Sequence, residues 1–186
     1  MPSTTQAADV MKLLNRCNHQ LVLAESCTAG LVASTLAGIP GASSVLIGSS
    51  VVYQVAAKQH WLGLTDTHFN TFDVVSAETS LAMATGALEK TPWATVAAAI
   101  TGHLGPNAPV ALDGVELDGI AWATVLVRQE NETITESTQK LILDREDRPS
   151  EPADLRRTRQ VEAANQLIQL IKCELENHSF NHQATR

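Results

Sequence analysis

The sequence predicts an α/β fold, a single-domain α/β/α sandwich around a mixed β-sheet, and two observations carry that prediction. Short apolar runs of strand length, at 21–24, 44–53 and 95–100, alternate with segments whose apolar residues recur at helical spacing. A chain of 186 residues, 44% hydrophobic and 18% charged, is long enough for one sizeable core and short for two.

Ser3 and Gln6 have capping-box spacing, and Val10, Leu13, Leu14 and Cys17 then share one helical face, predicting a first helix over 4–18. The apolar run 21–24 is a buried strand. A second helix carries Leu31, Val32 and Leu36 and stops at Gly38, with Pro40 just beyond. Residues 44–53 (SVLIGSSVVY) are rich in β-branched side chains and form a strand with a bend or close backbone approach at Gly48. A short helix over 55–62 bears Lys58. The Thr- and Asp-rich stretch 64–75 is a connection. Ser76 caps a helix with Glu78 in its first turn and Leu81, Ala84 and Leu88 on one face.

The small-residue run 95–100 (TVAAAI) is a buried central strand leading into Thr101-Gly102-His103-Leu104-Gly105-Pro106. Residues 106–118 form a loop, and strands follow over 119–127 and 133–143. A charged segment precedes a final helix striped by Val161, Ala164, Ile168, Ile171 and Leu175. The domain spans 1–178, and 179–186 is a polar, disordered tail.

Net charge of −7 argues against unspecific binding to nucleic acid or anionic lipid, while leaving room for a small anionic ligand at a local positive site. Three cysteines without CxxC spacing fit reduced thiols. The first residues lack the charged start and apolar core of a signal peptide, and no apolar run approaches membrane-spanning length, so the expected compartment is the cytoplasm. Walker, dinucleotide-binding and nucleophile-elbow motifs are absent. No HExxH motif occurs among the histidines, so no metal site is expected.

The most informative stretch is 21–30, LVLAESCTAG. It places Ser26 and Cys27 between the end of a strand and the start of a helix, where α/β sheets bind ligands. Each residue here has two readings. Ser26 and Thr28 are either site residues or helix caps. Cys27 is either a thiol activated by a helix terminus or a small buried filler. Lys58 is either a base for a serine nucleophile, which requires a neutral amine, or a surface lysine.

The ordered set AESCTAG, GIPGASS, Tyr53 to Lys58 (YQVAAK), Val75-Ser76-Ala77-Glu78 and TGHLGP resembles the CinA C-terminal domain family, which includes nicotinamide mononucleotide deamidases. The resemblance covers about residues 5–172 and corresponds to the stand-alone form, without the preceding molybdopterin-binding-like domain. It implies hydrolysis of nicotinamide mononucleotide to nicotinate mononucleotide and ammonia, with no cofactor. It further implies Ser26 as nucleophile, Lys58 as its base or electrostatic partner, and Tyr53 beside them. Thr28, Gly30, Thr101 and Gly102 would line the nucleotide site through hydroxyl and backbone N–H groups, with Gly48 also on the substrate side. Arg156 is the best match to the family's arginine before the last helix, suited to a phosphate; its other reading is a solvated member of the run Arg156, Arg157 and Arg159. Family members associate, so a homo-oligomer is expected, a dimer foremost, and the other partner is a pyridine nucleotide.

The chain departs from the family at four places. An Asn and a Glu between the tyrosine and lysine are replaced by Val55 and Ala56. TGIAGP becomes TGHLGP, introducing His103, and Glu116 and Asp118 stand where a positive charge is expected. The segment between Asp144 and Leu155 is also longer. A catalytically silent homologue that binds a small anionic or nucleotide ligand is therefore the alternative function.

Overall fold

The computed structural model describes residues 1–129, 134–143 and 151–184. Its helices and strands follow the chain as α1 (Thr4–Arg16), β1 (Leu21–Glu25), α2 (Leu31–Ala37), β2 (Leu46–Val51), α3 (Val55–Leu62), α4 (Asp66–Thr71), α5 (Ala77–Lys90), β3 (Val96–His103), β4 (Ile120–Arg128), β5 (Ile134–Ile142) and α6 (Pro152–Ala184). A five-stranded sheet has the order β2-β1-β3-β4-β5. β1 runs parallel to β2 and β3, and the β3–β4 and β4–β5 pairs are antiparallel, so the sheet is mixed.

Period-2 alternation sends neighbouring residues of each central strand into different cores. Leu21 and Leu23 of β1, with Val96, Ala98 and Ile100 of β3, join Val10, Leu14, Leu36, Leu167, Ile168 and Ile171 from α1, α2 and α6. Val22, Ala24, Ala97 and Ala99 join Met83, Ala84 and Leu88 of α5 on the opposite face. Burial of each large aliphatic side chain contributes roughly 2 kcal/mol, so both faces of the sheet are stabilised. Of the predicted final-helix stripe, Ala164, Ile168, Ile171 and Leu175 are buried, while Val161 is half-buried. α3 crosses α5 closely at Gly86, where a Cβ would meet Leu62 O at 2.2 Å.

Several local expectations change. The connection 64–75 contains α4, capped by the Thr65 hydroxyl, which accepts from His68 N–H at 3.2 Å. Six residues are too few to show a helical period, which hides this element in the sequence. β2 is shorter than predicted because Ala42–Ser44 form a 3-10 turn before it. Gly48 makes no close approach: nothing lies within 4 Å of a Cβ added there. The irregularity is next to it, since Leu21 pairs Leu46 but Val22 pairs Gly48, leaving Ile47 as the extra residue. Gly48 thus belongs to the sheet ladder, three residues short of the strand end. The apolar run 95–100 extends through Thr101 and Gly102 to His103 as one strand. The tail expected over 179–186 is instead a continuation of α6 as far as Ala184. Thr133, the segment 144–150 and the last two positions, 185–186, lie outside the described residues.

Candidate active site

The carboxyl ends of β1, β2 and β3 meet at Ser26. The Ser26 N–H donates to Ile100 O (3.0 Å) and Val52 N–H donates to Glu25 O (2.8 Å), which brings Ser26 and Val52, just past β1 and β2, level with Thr101 of β3. Lys58, on α3, has no exposed surface. Its Nζ donates to Ser26 Oγ at 3.1 Å and to Val52 O at 2.8 Å. Both acceptors are neutral, so burial is not offset by a paired carboxylate, and it pushes the amine down to about 8. Of the two readings of Lys58, the surface one is excluded.

Cys27, one residue on, is packed in the core with Val32 and Leu36. Burial pushes its thiol up to about 12, which disfavours the thiolate and favours the reading of Cys27 as a small buried filler.

Glu25 is not among the residues that the sequence singles out, yet it organises the turn. Its buried carboxylate accepts from Thr28 Oγ1 (2.8 Å), Gly30 N–H (3.0 Å), Val32 N–H (3.1 Å), Ala33 N–H (2.9 Å) and Ser49 Oγ (3.1 Å). A carboxylate at the start of α2 satisfies the orphan N–H groups and complements the helix dipole. The Thr28 hydroxyl and the Gly30 N–H, both expected at the site, donate to Glu25. Ala29 (φ 51°) and Gly30 (φ 90°) adopt left-handed backbone to make the turn. Between Ser26 and that turn, the N–H groups of Cys27 and Thr28 have no acceptor among the described residues.

Thr101 and Gly102, on β3, also make close contacts within the fold. The buried Thr101 hydroxyl donates to Val74 O (2.8 Å). Gly102 allows β3 and β4 to touch, because a Cβ there would lie 2.5 Å from Ala121 Cβ.

The first turns of α6 close the other side. The arginine run divides: Arg156 is half-buried, Arg157 exposed and Arg159 fully buried. Arg156 donates to Gly105 O (3.2 Å) and to the Tyr53 hydroxyl, joining the loop after β3 to the residue after β2. Gln160 Nε2 donates to Cys27 O (3.2 Å) and Thr28 O (3.3 Å). Arg159 pairs with Asp118 (2.9 Å), so this loop carboxylate is neutralised by a buried cation. His103 is held below the ordinary imidazole range by burial and then by the charge of Arg156, with Asp118 opposing. No group of three or more metal-ligating side chains occurs among the described residues. No described helix is long and apolar enough to cross a membrane.

The arrangement therefore holds a serine hydroxyl against a buried amine, two N–H groups beside it and a guanidinium across the rim. Known proteins share the frame that carries these groups. The model of the CinA C-terminal domain matches residues 3–148. A CinA-like protein of Myxococcus xanthus is 38% identical over 113 residues, which is 61% of this chain and 27% of that protein. The chain spans about a quarter of the length of the curated relatives it matches. Among solved structures, a CinA superfamily protein of Klebsiella pneumoniae shares the fold at a TM-score of 0.80, with 21% identity, 95% of this chain and 99% of that chain covered. The competence/damage inducible protein CihA of Agrobacterium tumefaciens aligns at a TM-score of 0.69 with 28% identity over 90% of this chain and 94% of that one.

Proposed function

The chain belongs to the CinA C-terminal domain family, and on that premise we propose that it is an amidohydrolase converting nicotinamide mononucleotide to nicotinate mononucleotide and ammonia. The observation that carries this reading is the 3.1 Å contact between Lys58 Nζ and Ser26 Oγ.

An amine lowered to about 8 is partly neutral at physiological pH and takes the Ser26 proton as Oγ attacks the carboxamide carbon. The resulting oxyanion is stabilised by donors already in place, for which the Cys27 and Thr28 N–H groups are the candidates. Protonated Lys58 then passes its proton to the leaving amine, and ammonia departs as the C–N bond breaks. Water attacks the acyl-serine, Lys58 accepts its proton, and Ser26 is regenerated. Arg156 supplies a fixed positive charge for the nucleotide phosphate, with Tyr53 beside it. The reaction takes a small pyridine nucleotide in the cytoplasm and needs no cofactor.

A second reading is supported by the first turn of α3, where Val55 and Ala56 offer no polar side chain toward a ligand. In it the protein binds an anionic or nucleotide ligand without turnover.

Ammonia release from nicotinamide mononucleotide separates the two, measured beside Ser26→Ala and beside nicotinamide riboside as substrate. The hydrolase reading expects release by the parent, none by the variant, and weaker use of the riboside that lacks a phosphate. A folded parent that releases no ammonia, yet melts at higher temperature with the nucleotide present, is the silent binder.

A further inference from the structure

The sheet ends at β5, and among the described residues no strand lies beyond it. Two hydrogen bonds fix which way its backbone groups point. Arg128 N–H donates to Thr95 O (2.8 Å), and Leu143 N–H donates to Gly119 O (2.8 Å). Even-numbered residues of β4 therefore face β3, and odd-numbered residues of β4 and β5 face each other. Ile134, Glu136, Thr138, Lys140 and Ile142 are left with N–H and C=O groups turned outward.

Those five residues also place their side chains on one face of the sheet, as their period of two requires. Thr138 Oγ1 lies 3.0 Å from Thr124 Oγ1, and Lys140 Nζ stands 5.9 Å above the Trp122 ring, both on the face covered by α5. Ile134 is 49% exposed and Ile142 63% exposed, at opposite ends of the strand.

We propose that the β5 edge is a self-complementary dimer interface, in which β5 pairs antiparallel with β5 of a second copy about a two-fold axis at Thr138. In that register Thr138 meets Thr138, Glu136 meets Lys140, and Ile134 meets Ile142. Each is a hydrogen-bonded pair formed by residues whose backbone groups already point outward. Glu136 and Lys140 are the only charged residues of the strand, and the two-fold sets them in attraction twice. Sliding the copies by two residues would put isoleucine against lysine and glutamate against threonine, so charge and apolar matching select one register. A paired edge also removes the template for open-ended association that a nine-residue exposed strand presents. The inference is independent of the proposed activity, since no residue of β5 belongs to the Ser26 site.

Sedimentation velocity at micromolar concentration tests it with a charge-exchange set. The parent is expected to be a dimer. Glu136→Lys sets lysine against lysine, and Lys140→Glu sets glutamate against glutamate. Each substitution should raise the dimer dissociation constant about tenfold or more, since two pairs turn repulsive in every interface. Mixing the two single variants should restore association as a heterodimer, and the double variant should restore the homodimer. A monomeric parent would overturn the proposal. So would a dimer indifferent to both single changes, or one weakened by them but not rescued by the mixture.

Discussion

Lys58 Nζ lies 3.1 Å from Ser26 Oγ and 2.8 Å from Val52 O, with no carboxylate among its partners. A buried cation held only by neutral oxygens gives up its proton more readily than one in water. The amine is therefore displaced from 10.5 to about 8.

This displacement has a measurable stability signature. Below pH 8 both folded and unfolded chains hold the proton, and the full cost of burying the ammonium is present. Between about 8 and 10.5 the unfolded chain binds more protons, so this residue's contribution to stability improves as pH rises. The shift corresponds to ~3 kcal/mol. Denaturant unfolding of the parent and Lys58→Met should therefore show the parent gaining about that much on the variant between pH 7 and pH 11. Amide hydrolysis by the parent should rise with pH through about 8. A parent–variant difference that stays flat with pH would mean that burial does not depress the lysine.

Cys27 should be inert in the native protein. Its thiol is buried and pushed up to about 12, whereas Cys17 and Cys173 are half-buried. Labelling with a thiol reagent at pH 8 should modify Cys17 and Cys173 first, with Cys27 reacting only on unfolding. Cys27→Ala should retain activity within a few-fold. If that variant alone lost all turnover while Ser26→Ala kept it, the serine assignment would fail.

Glu25→Gln should be costly. The amide keeps one acceptor oxygen but turns an NH2 group toward N–H and hydroxyl donors that now meet a carboxylate. A loss of at least ~2 kcal/mol is expected from the affected charged hydrogen bonds. Urea unfolding measures it, and a midpoint equal to the parent's would show that the turn does not depend on the charge.

Gly102→Ala should destabilise by about 1–3 kcal/mol through overpacking, because the new methyl falls 2.5 Å from Ala121 Cβ. Adding Ala121→Gly should recover part of the loss, limited by Ile120 O at 3.0 Å. Absence of any recovery in the double variant would place the strain elsewhere.

The fold is legible in the sequence where periodicity is long. The α5 cap at Ser76, the span of α3 and the buried run through Ala97, Ala98 and Ala99 follow from spacing and residue size. α4 is hidden because six polar-rich residues carry no period. In the site, Ser26 and Lys58 can be nominated, but their meeting is a tertiary contact between residues 32 apart in the chain. Glu25 escapes notice because it precedes the helix it caps, whereas side-chain caps are sought at the helix boundary itself. The contacts of Thr101 with Val74 and of Gly102 with Ala121 are not legible either, because they join residues far apart in the chain.

The Glu25 carboxylate separates two kinds of freedom in this protein. The turn bearing Ser26 is anchored from within, by donors that all belong to β2, α2 and the turn itself, so its shape does not depend on what occupies the rim. Rim positions such as Val55, Ala56 and His103 are therefore open to drift. A lineage can change those positions without rebuilding the Ser26 turn, and divergence among such chains should accumulate at the doorway sooner than at the hinge behind it.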